Sequence, residues 1–134
     1  GKVQTTPPTA PPSTTKVTIS ANVPLSISAD TTTEYTIANG KTFYVQQIAC
    51  GSEGDTSERG SCLEVSYYDG TTEHLVERVY VNGFTQYGVF PDTGAARDGT
   101  AMVGDGSTKT IRVKRRRLSG SSQEVDAVIR GYEL

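Results

Sequence analysis

The stretch CLEVSYYDGTTEHLVERVYVN, residues 62–82, contains two runs of alternating apolar and polar residues with a turn between them. In the first run, Leu63, Val65 and Tyr67 alternate with polar residues. Because successive side chains of an extended strand point to opposite faces, this alternation predicts a half-buried β-strand. The dipeptide Asp69-Gly70 tolerates the positive φ angles of a tight turn, and the second run predicts another strand.

The same pattern of short strands and turns extends over most of the chain. Turn dipeptides recur at Asn39-Gly40, Asn82-Gly83, Asp98-Gly99 and Asp105-Gly106, and no stretch keeps a helical period. Strands are predicted near residues 16–20, 23–28, 34–38, 42–50, 62–69, 74–82, 86–90, 100–103, 109–118 and 123–133. Evenly spaced turns between alternating strands favour an all-β fold, as an antiparallel β-sandwich or barrel.

Composition and charge narrow the classes of protein. The chain has 134 residues, enough for one domain with a real core, and its formal net charge is −2 with a pI near 5.4. A nucleic-acid binder normally carries a basic footprint, and membrane-surface binding would need an amphipathic basic helix. No window has the length of a transmembrane helix or the core of a signal peptide. We therefore expect a soluble protein that binds neither nucleic acid nor membrane.

The N-terminal stretch GKVQTTPPTAPPSTT, residues 1–15, differs from the rest in composition. Its prolines fix φ, lack an N–H and favour extended conformations in the preceding residue, so polyproline II or coil is expected. It is either a disordered linker or an arm that becomes ordered on a neighbouring subunit, which costs a stiff segment less entropy. The candidate contact residues of such an arm are Pro7, Pro8, Pro11 and Pro12.

The chain thus divides into two predicted regions. Residues 1–33 form an extended N-terminal arm with short strand segments, and residues 34–134 form the β-sandwich domain. The division follows the composition, which changes from Pro- and Thr-rich to strands punctuated by turns.

The stretch IRVKRRRLSG, residues 111–120, places four consecutive basic residues in a slightly acidic chain. Apolar alternation in this strand and in the last one predicts that both strands face the core, and a hairpin through the sequence SGSS satisfies this. Such a hairpin would pair Arg116 with Glu124 and Lys114 with Asp126 on the solvent side. Half of the basic run would then be an ordinary strand face.

Arg115 and Arg117 fall on the core-facing line of the same strand, near its end. Their stems either run along apolar surface until the charged groups reach water, or the side chains meet carboxylates of another subunit. We therefore treat both arginines as candidate partner contacts. Nuclear localisation or nucleic-acid binding is disfavoured by the net charge.

The stretch CGSEGDTSERGSC, residues 50–62, joins two predicted neighbouring strands. If these strands pair, Cys50 and Cys62 lie at facing ends and form a candidate disulfide, for which loop closure would contribute about 3 kcal/mol. Two free buried thiols in a protein assembled in a reducing cytoplasm are the other interpretation. The sequence leaves both open.

The acidic residues of this loop, Glu53, Asp55 and Glu58, match no calcium-binding motif, and a solvated loop is the better interpretation. Zinc is disfavoured because His74 is the sole histidine and no CxxC occurs. We expect no metal and no cofactor.

Catalytic motifs are absent from the sequence. A Ser/His/Asp or Cys/His site would have to use His74, which no GxSxG accompanies, and neither a P-loop nor a GxGxxG occurs. Paired carboxylates of the glycosidase type stay open, since their separation is spatial. Four tyrosines could form a sugar-binding platform, although aromatic residues in strands more often serve packing. They are Tyr67, Tyr68, Tyr80 and Tyr87. We expect a protein that is not an enzyme.

From about residue 34 to the C-terminus the chain resembles small jelly-roll-like β-sandwich structural proteins of tailed bacteriophages. In such chains a YTI-x-NGKT start precedes the first long strand, and the terminal strand ends in GYE. The stretches that carry the resemblance are EYTIANGKTFYVQQIACGSEGD (34–55), RGSCLEVSYYDG (59–70), VYVNGFT (79–85) and EVDAVIRGYE (124–133). The pair Cys50 and Cys62 is not expected of this pattern.

The resemblance implies a virion component. Capsid decoration (cement) proteins of this type combine a compact β-domain with an extended segment that reaches across capsomers, and residues 1–33 would be that segment. The implied partners are the major capsid protein or other virion proteins. The resemblance also implies a homo-oligomer, often a trimer, assembled in the host bacterial cytoplasm.

Two alternatives remain at this stage. Collar and tail proteins of phages share the fold, so the position on the particle stays open. An extracellular carbohydrate- or receptor-binding module on a Pro/Thr linker would have exposed tyrosines, a Cys50–Cys62 bond and a dispensable N-terminus.

Overall fold

Eight β-strands form the body of this protein in the computed structural model, which describes residues 9–11, 14–23, 31–53, 60–82, 86–119 and 124–134. The strands are β1 (Thr15–Val23), β2 (Thr31–Thr36), β3 (Phe43–Glu53), β4 (Gly60–Tyr68), β5 (Glu73–Asn82), β6 (Gln86–Val89), β7 (Thr110–Ser119) and β8 (Glu124–Glu133). The described ranges contain no helix, and hence no helical segment suited to crossing a membrane.

The strands form two antiparallel four-stranded sheets that pack as a sandwich, which confirms the predicted fold class. The first sheet has the order β1-β8-β3-β6 and the second sheet the order β2-β7-β4-β5. In both sheets, strands whose numbers sum to nine are neighbours: β1 with β8, β2 with β7, β3 with β6 and β4 with β5. This is a jelly roll, in which one long hairpin is rolled around the core.

The stretch 62–82 lies at the closed end of that long hairpin. Among the eight strands, β4 and β5 alone are neighbours both in sequence and in a sheet. The turn between them is closed by a hydrogen bond from the backbone N–H of Asp69 to the carbonyl oxygen of Thr72, at 3.0 Å. Gly70 takes a φ of 102° in this turn, a conformation that glycine adopts without strain.

The other predicted turns are confirmed wherever they are described. Gly40, Gly99 and Gly106 have φ angles of 74°, 90° and 76°. The dipeptide at residues 82–83 falls partly on Gly83, which lies outside the described residues.

The core lies between the inner faces of the two sheets, as the alternation of apolar residues predicts. Its largest fully buried apolar side chains include Phe43, Ile48, Leu63, Ile111 and Ile129. The loop after β6 closes one end of the sandwich and adds the buried Met102. From β4, the Tyr67 hydroxyl donates to the carbonyl oxygen of Val103 at 2.6 Å, which fixes this loop to the core.

Two details of the predicted organisation change. Residues 15–23 and 31–36 are strands of the two sheets, so the described sandwich begins at Thr15 and the expected boundary after residue 33 falls inside β2. The predicted strand near 100–103 is reduced to isolated bridges of Ala101 and Val103. The predicted strand near 23–28 falls largely on residues 24–30, outside the described ranges.

The predicted hairpin between β7 and β8 is wrong. These strands are consecutive in sequence but belong to different sheets, so Lys114 lies opposite Thr32 and Glu64, and Asp126 lies opposite Asn22 and Gly51. Apolar alternation requires only that both strands face the core, and they meet that requirement across the sandwich instead of side by side. The predicted pairing of Arg116 with Glu124 fails for the same reason.

Replacing Gly131 with alanine should destabilise the fold. A Cβ atom there would come within 2.3 Å of the Tyr44 carbonyl oxygen and 2.9 Å of the Phe43 ring. Overpacking of this kind typically costs about 1–3 kcal/mol, and a backbone atom yields less readily than a side chain. Gly88→Ala is the matched control, because its Cβ would meet nothing within 4 Å and the change should stay within about 0.5 kcal/mol. Equal losses in urea unfolding of the two variants would contradict the close approach of β8 to β3.

Candidate interaction surfaces

Because β1 and β2 belong to the sandwich, the N-terminal arm is limited to residues 1–13, and a turn between Pro11 and Thr14 precedes the edge strand β1. The carbonyl oxygen of Pro11 accepts hydrogen bonds from the Thr14 backbone N–H at 3.2 Å and from the Thr14 hydroxyl at 2.8 Å. Pro11 is exposed. Its three companions among the predicted contact residues, Pro7, Pro8 and Pro12, lie outside the described residues.

A cavity of about 300 Å³ lies between the arm and the outer face of the first sheet; we call it the arm groove. The arm contributes Thr9 and Ala10, and the sheet contributes residues of β1, β3 and β8 that include Lys16, Thr18, Gln46 and Arg130. The Arg130 guanidinium donates to Oε1 of Gln47 at 2.9 Å, which orients it on the sheet surface. No local feature of the sequence indicates this groove, because its two cations are brought together by the pairing of β1 with β8.

Arg112, Lys114 and Arg116 of β7 form ion pairs within the second sheet, with carboxylates of β2, β4 and β5. Glu73 accepts from Lys114 at 2.6 Å and lies 3.6 Å from Arg112. Arg112 also donates to Glu34 at 3.0 Å, and its guanidinium lies 3.7 Å from the centre of the Tyr68 ring. Within the basic run, Lys114 and Arg116 are thus paired on a strand face, as predicted for that half of the run, although their partners differ from those expected.

A second group of ion pairs on the outer face of the second sheet is centred on Glu64. Its carboxylate accepts from Arg78 at 2.6 Å and from Arg116 at 3.3 Å, and its side chain is 11 % exposed beneath them. The outer face of the second sheet is thus a network in which each carboxylate lies next to one or two cations.

Arg115 points into the protein. Its residue lies between Thr31 of β2 and Leu63 of β4, on the same face as the buried Val113, and it is 1 % exposed. The expectation that its stem leads the charge out to water is therefore wrong, because the sandwich does not open at this point of β7. Contact with another subunit stays a prediction for Arg115. For Arg117 the structure describes the backbone alone, so the same prediction concerns a side chain outside the description.

Cys50 and Cys62 are both buried free thiols. The premise of a disulfide was that β3 and β4 pair, but these strands belong to different sheets. Cys50 faces the core, whereas Cys62 shares the outer face of β4 with Glu64. Burial raises the pKa of Cys50 to about 11 and also raises that of Cys62, so both thiols are poor nucleophiles.

His74 is held between two carboxylates at the end of the sandwich closed by the loop after β6. Its Nε2 lies 2.7 Å from Oδ2 of Asp69, and its Nδ1 lies 2.7 Å from Oδ2 of Asp98. The Thr100 hydroxyl lies 3.3 Å from Nδ1, and the Tyr67 ring stacks at 6.1 Å between centroids. The side chain therefore links the β4–β5 turn to the loop at residues 96–100.

The electrostatics of this contact favour the imidazolium. Hydrogen bonds to Asp69 and then Asp98 raise the pKa of His74. In turn, the hydrogen bond from His74 lowers the pKa of Asp69 well below its ordinary range and that of Asp98 to about 2. Because both ring nitrogens donate to carboxylates, the ring offers no lone pair for a general base. His74 is thus placed for structure and not for the hydrolytic chemistry considered above.

The remaining candidate sites do not assemble among the described residues. No group of three or more His, Cys, Asp or Glu side chains in the described part of the chain is placed to hold a metal ion. In the acidic loop, Asp55 and Glu58 lie outside the description. Of the four tyrosines, Tyr67 is buried in the core and Tyr68 lies under Arg112, whereas Tyr80 is 59 % exposed. The side chain of Tyr87 is not described.

No protein-family model matches this chain, and no curated protein matches it. Among solved structures, the chain is similar to one titled Desmodium yellow mottle tymovirus, with 7 % sequence identity and a TM-score of 0.36. That alignment covers 99 % of this chain and 94 % of the other. A likeness at this TM-score bears on neither the fold nor the function of the protein.

The stability of the protein should fall as the pH rises above about 6.5. The folded-state pKa of His74 is above its unfolded value, so its pairing stabilises the fold fully below about pH 6.5 and is lost as the pH passes the folded pKa. His74→Gln should remove this part of the pH dependence between pH 6 and 8 in urea unfolding. Since the chain has one histidine, its NMR titration gives the pKa directly. A value at or below about 6.5 would contradict the double carboxylate contact.

Neighbouring arginines of β7 should differ sharply in their effect on stability. Arg115→Ala removes a large, fully buried side chain and leaves a cavity in its place, and a cavity of this kind costs about 2–5 kcal/mol where a buried aliphatic side chain is truncated. Arg116→Ala removes a side chain that is 46 % exposed, and the loss should be below about 1 kcal/mol because Arg78 still pairs with Glu64. Chemical unfolding measures both. If the two variants are equally stable, Arg115 does not lie in the interior.

Proposed function

We propose that this chain is a non-enzymatic structural protein of a tailed-bacteriophage virion, a capsid decoration or cement protein. It binds neighbouring capsid subunits through its β-domain and its N-terminal arm. The observation that carries the proposal is the direct continuity between the Pro/Thr-rich arm and β1, the edge strand of a jelly roll. The resemblance to phage structural proteins supplies the class.

The length of the arm supports a role between subunits. Thr9 and Ala10 line the arm groove on the protein's own first sheet, so residues 1–8 are the part that can reach a neighbour, and eight residues in polyproline II conformation would span about 25 Å. A compact domain of 134 residues has a radius of gyration of about 14 Å and a diameter of roughly 36 Å. Such a stretch would reach over about two thirds of the width of one neighbouring subunit, and its prolines reduce the entropy lost on docking.

The two outer faces of the sandwich differ in their suitability for docking. The second sheet is covered by ion pairs, whose desolvation opposes burial against a flat partner. The first sheet has a row of small, uncharged residues that are opposite one another across four strands: Ser20, Val128, Ala49 and Gly88. We assign the capsid-binding surface to the first sheet, next to the arm.

Assembly in the host bacterial cytoplasm fits the two free thiols, because disulfides rarely persist in reducing compartments. We propose that the protein acts as a homo-oligomer, with a trimer as the implied form, and that its partner is the major capsid protein. A collar or tail protein would use the same fold and the same arm at another position on the particle.

A carbohydrate- or receptor-binding module is the second candidate, since jelly rolls also occur in lectins and the fold alone does not choose. It depends on a tyrosine platform and a Cys50–Cys62 bond. The burial of Tyr67 and the separation of the cysteines between two sheets favour the virion role instead. A glycan array and thiol titration test this candidate: binding of a sugar together with an oxidised pair would support it.

Deleting residues 1–13 should abolish binding to the virion while the sandwich stays folded, because β1 starts at Thr15. The measurement is co-sedimentation with phage heads that lack the protein, with urea unfolding as the test of folding. A variant whose residues 1–13 are replaced by Gly and Ser is the control for stiffness, and it should bind more weakly than the natural arm. Full occupancy by the deleted protein would refute the role of the arm. Absence of the protein from purified virions by mass spectrometry would refute the proposed function itself.

A further inference from the structure

The arm groove contains two cations that have no carboxylate partner among the described residues, unlike most other arginines and lysines of the described sandwich. Lys16 and Arg130 are both exposed and line the same cavity. Among the described residues, no carboxylate lies within 4 Å of either, whereas five cations of β5, of β7 and of the loop after β6 form ion pairs at such distances. Asp92 acts on the nearby Tyr132 ring but is not within that distance of the two cations.

The register of the first sheet holds these cations together. Thr18 is opposite Arg130 in the β1–β8 pair, and Lys16 lies two residues before Thr18 on the same outer face. Gln47 is opposite Arg130 on β3 and accepts its hydrogen bond at 2.9 Å. One side of the guanidinium is thereby oriented, and its other donors remain available to a ligand.

We propose that the arm groove binds a carboxylate side chain carried by an extended segment of the partner protein. Lys16 and Arg130 hold the carboxylate, and Thr9 and Ala10 of the arm cover the segment. This inference rests on the proposed function, since it names the chemistry by which the partner is recognised. The arm then acts as one wall of a binding site in addition to being a tether.

Size and charge favour a protein carboxylate over nucleic acid. The cavity of about 300 Å³ has the volume of one or two side chains, and the polar residues that line it are two cations, a glutamine and two threonines. A phosphate backbone would need a row of cations along its path, and the chain as a whole carries a net charge of −2. Arginine and lysine beside one cavity match a single carboxylate, which accepts from both.

The first test uses a hexaglutamate peptide as the probe, and its binding to the full chain is monitored by NMR titration. The peptide should shift signals of the groove, and Lys16→Gln with Arg130→Gln should weaken its binding by at least about tenfold. Lys41→Gln with Lys109→Gln is the matched control, because it makes the same change of net charge outside the groove and should retain binding. Equal losses in the two double variants, or no binding of the peptide, would overturn the inference. Tighter binding of hexathymidylate than of hexaglutamate at the same residues would replace the carboxylate by nucleic acid and would equally overturn it.

The second test uses the co-sedimentation assay with phage heads and separates this inference from the proposed function. Loss of binding in the Lys16→Gln and Arg130→Gln variant, with retention in the control variant, supports the groove. If the groove variant binds heads normally while the arm deletion does not, the groove is refuted and the decoration role stands. If the unaltered protein does not bind heads at all, the decoration role fails, and the peptide titration still decides the chemistry of the groove.

Discussion

The antiparallel pairing of β4 with β5 is the constraint on which the rest of the architecture depends. These strands are joined by a turn of four residues, so their pairing needs little loop closure, whereas each further pair in the roll joins segments that are more distant in sequence. β3 then meets β6, β2 meets β7 and β1 meets β8. β1 and β8 are the first and last strands in sequence, so their pairing closes the longest loop and has the highest entropic cost.

This order of pairing also determines where charge lies on the surface. β7 is adjacent to β2 and β4, so its basic residues meet Glu34, Glu64 and Glu73 and the second sheet becomes electrostatically self-contained. β8 lies in the other sheet, between β1 and β3, where its Arg130 finds a glutamine and a lysine but no carboxylate among the described residues. The two outer faces therefore differ: the charges of the second sheet are paired with one another, whereas Lys16 and Arg130 of the first sheet have no carboxylate within 4 Å among the described residues.

Local sequence determined much of the fold and little of its pairing. Alternation around Leu63 and Val65, and glycines such as Gly70 and Gly106, predicted strands, faces and turns, because each depends on a few neighbouring residues. Which strand lies beside which depends on the whole roll. The buried apolar residues of β7 are compatible with two arrangements: β7 could pair with β8 in one sheet, or face β8 from the other sheet. The second arrangement occurs. Alternation correctly predicts that Arg115 faces the core. Its charge suggested that the guanidinium would reach water, but the side chain is fully buried. The arm groove could not be foreseen at all, since Thr18 and Arg130 meet across nearly the full length of the chain.

The continuity of the arm with β1 has a mechanical consequence. β1 is held to β8 over nine residue pairs, and the hydrogen bonds of an antiparallel ladder run perpendicular to the strands. A pull on the arm along the strand axis therefore loads these bonds in shear, and they resist together instead of breaking one after another. A tether that continues into an edge strand transmits force into the body of the protein. In the proposed decoration role, a force that separates two anchored subunits would be shared by the whole ladder.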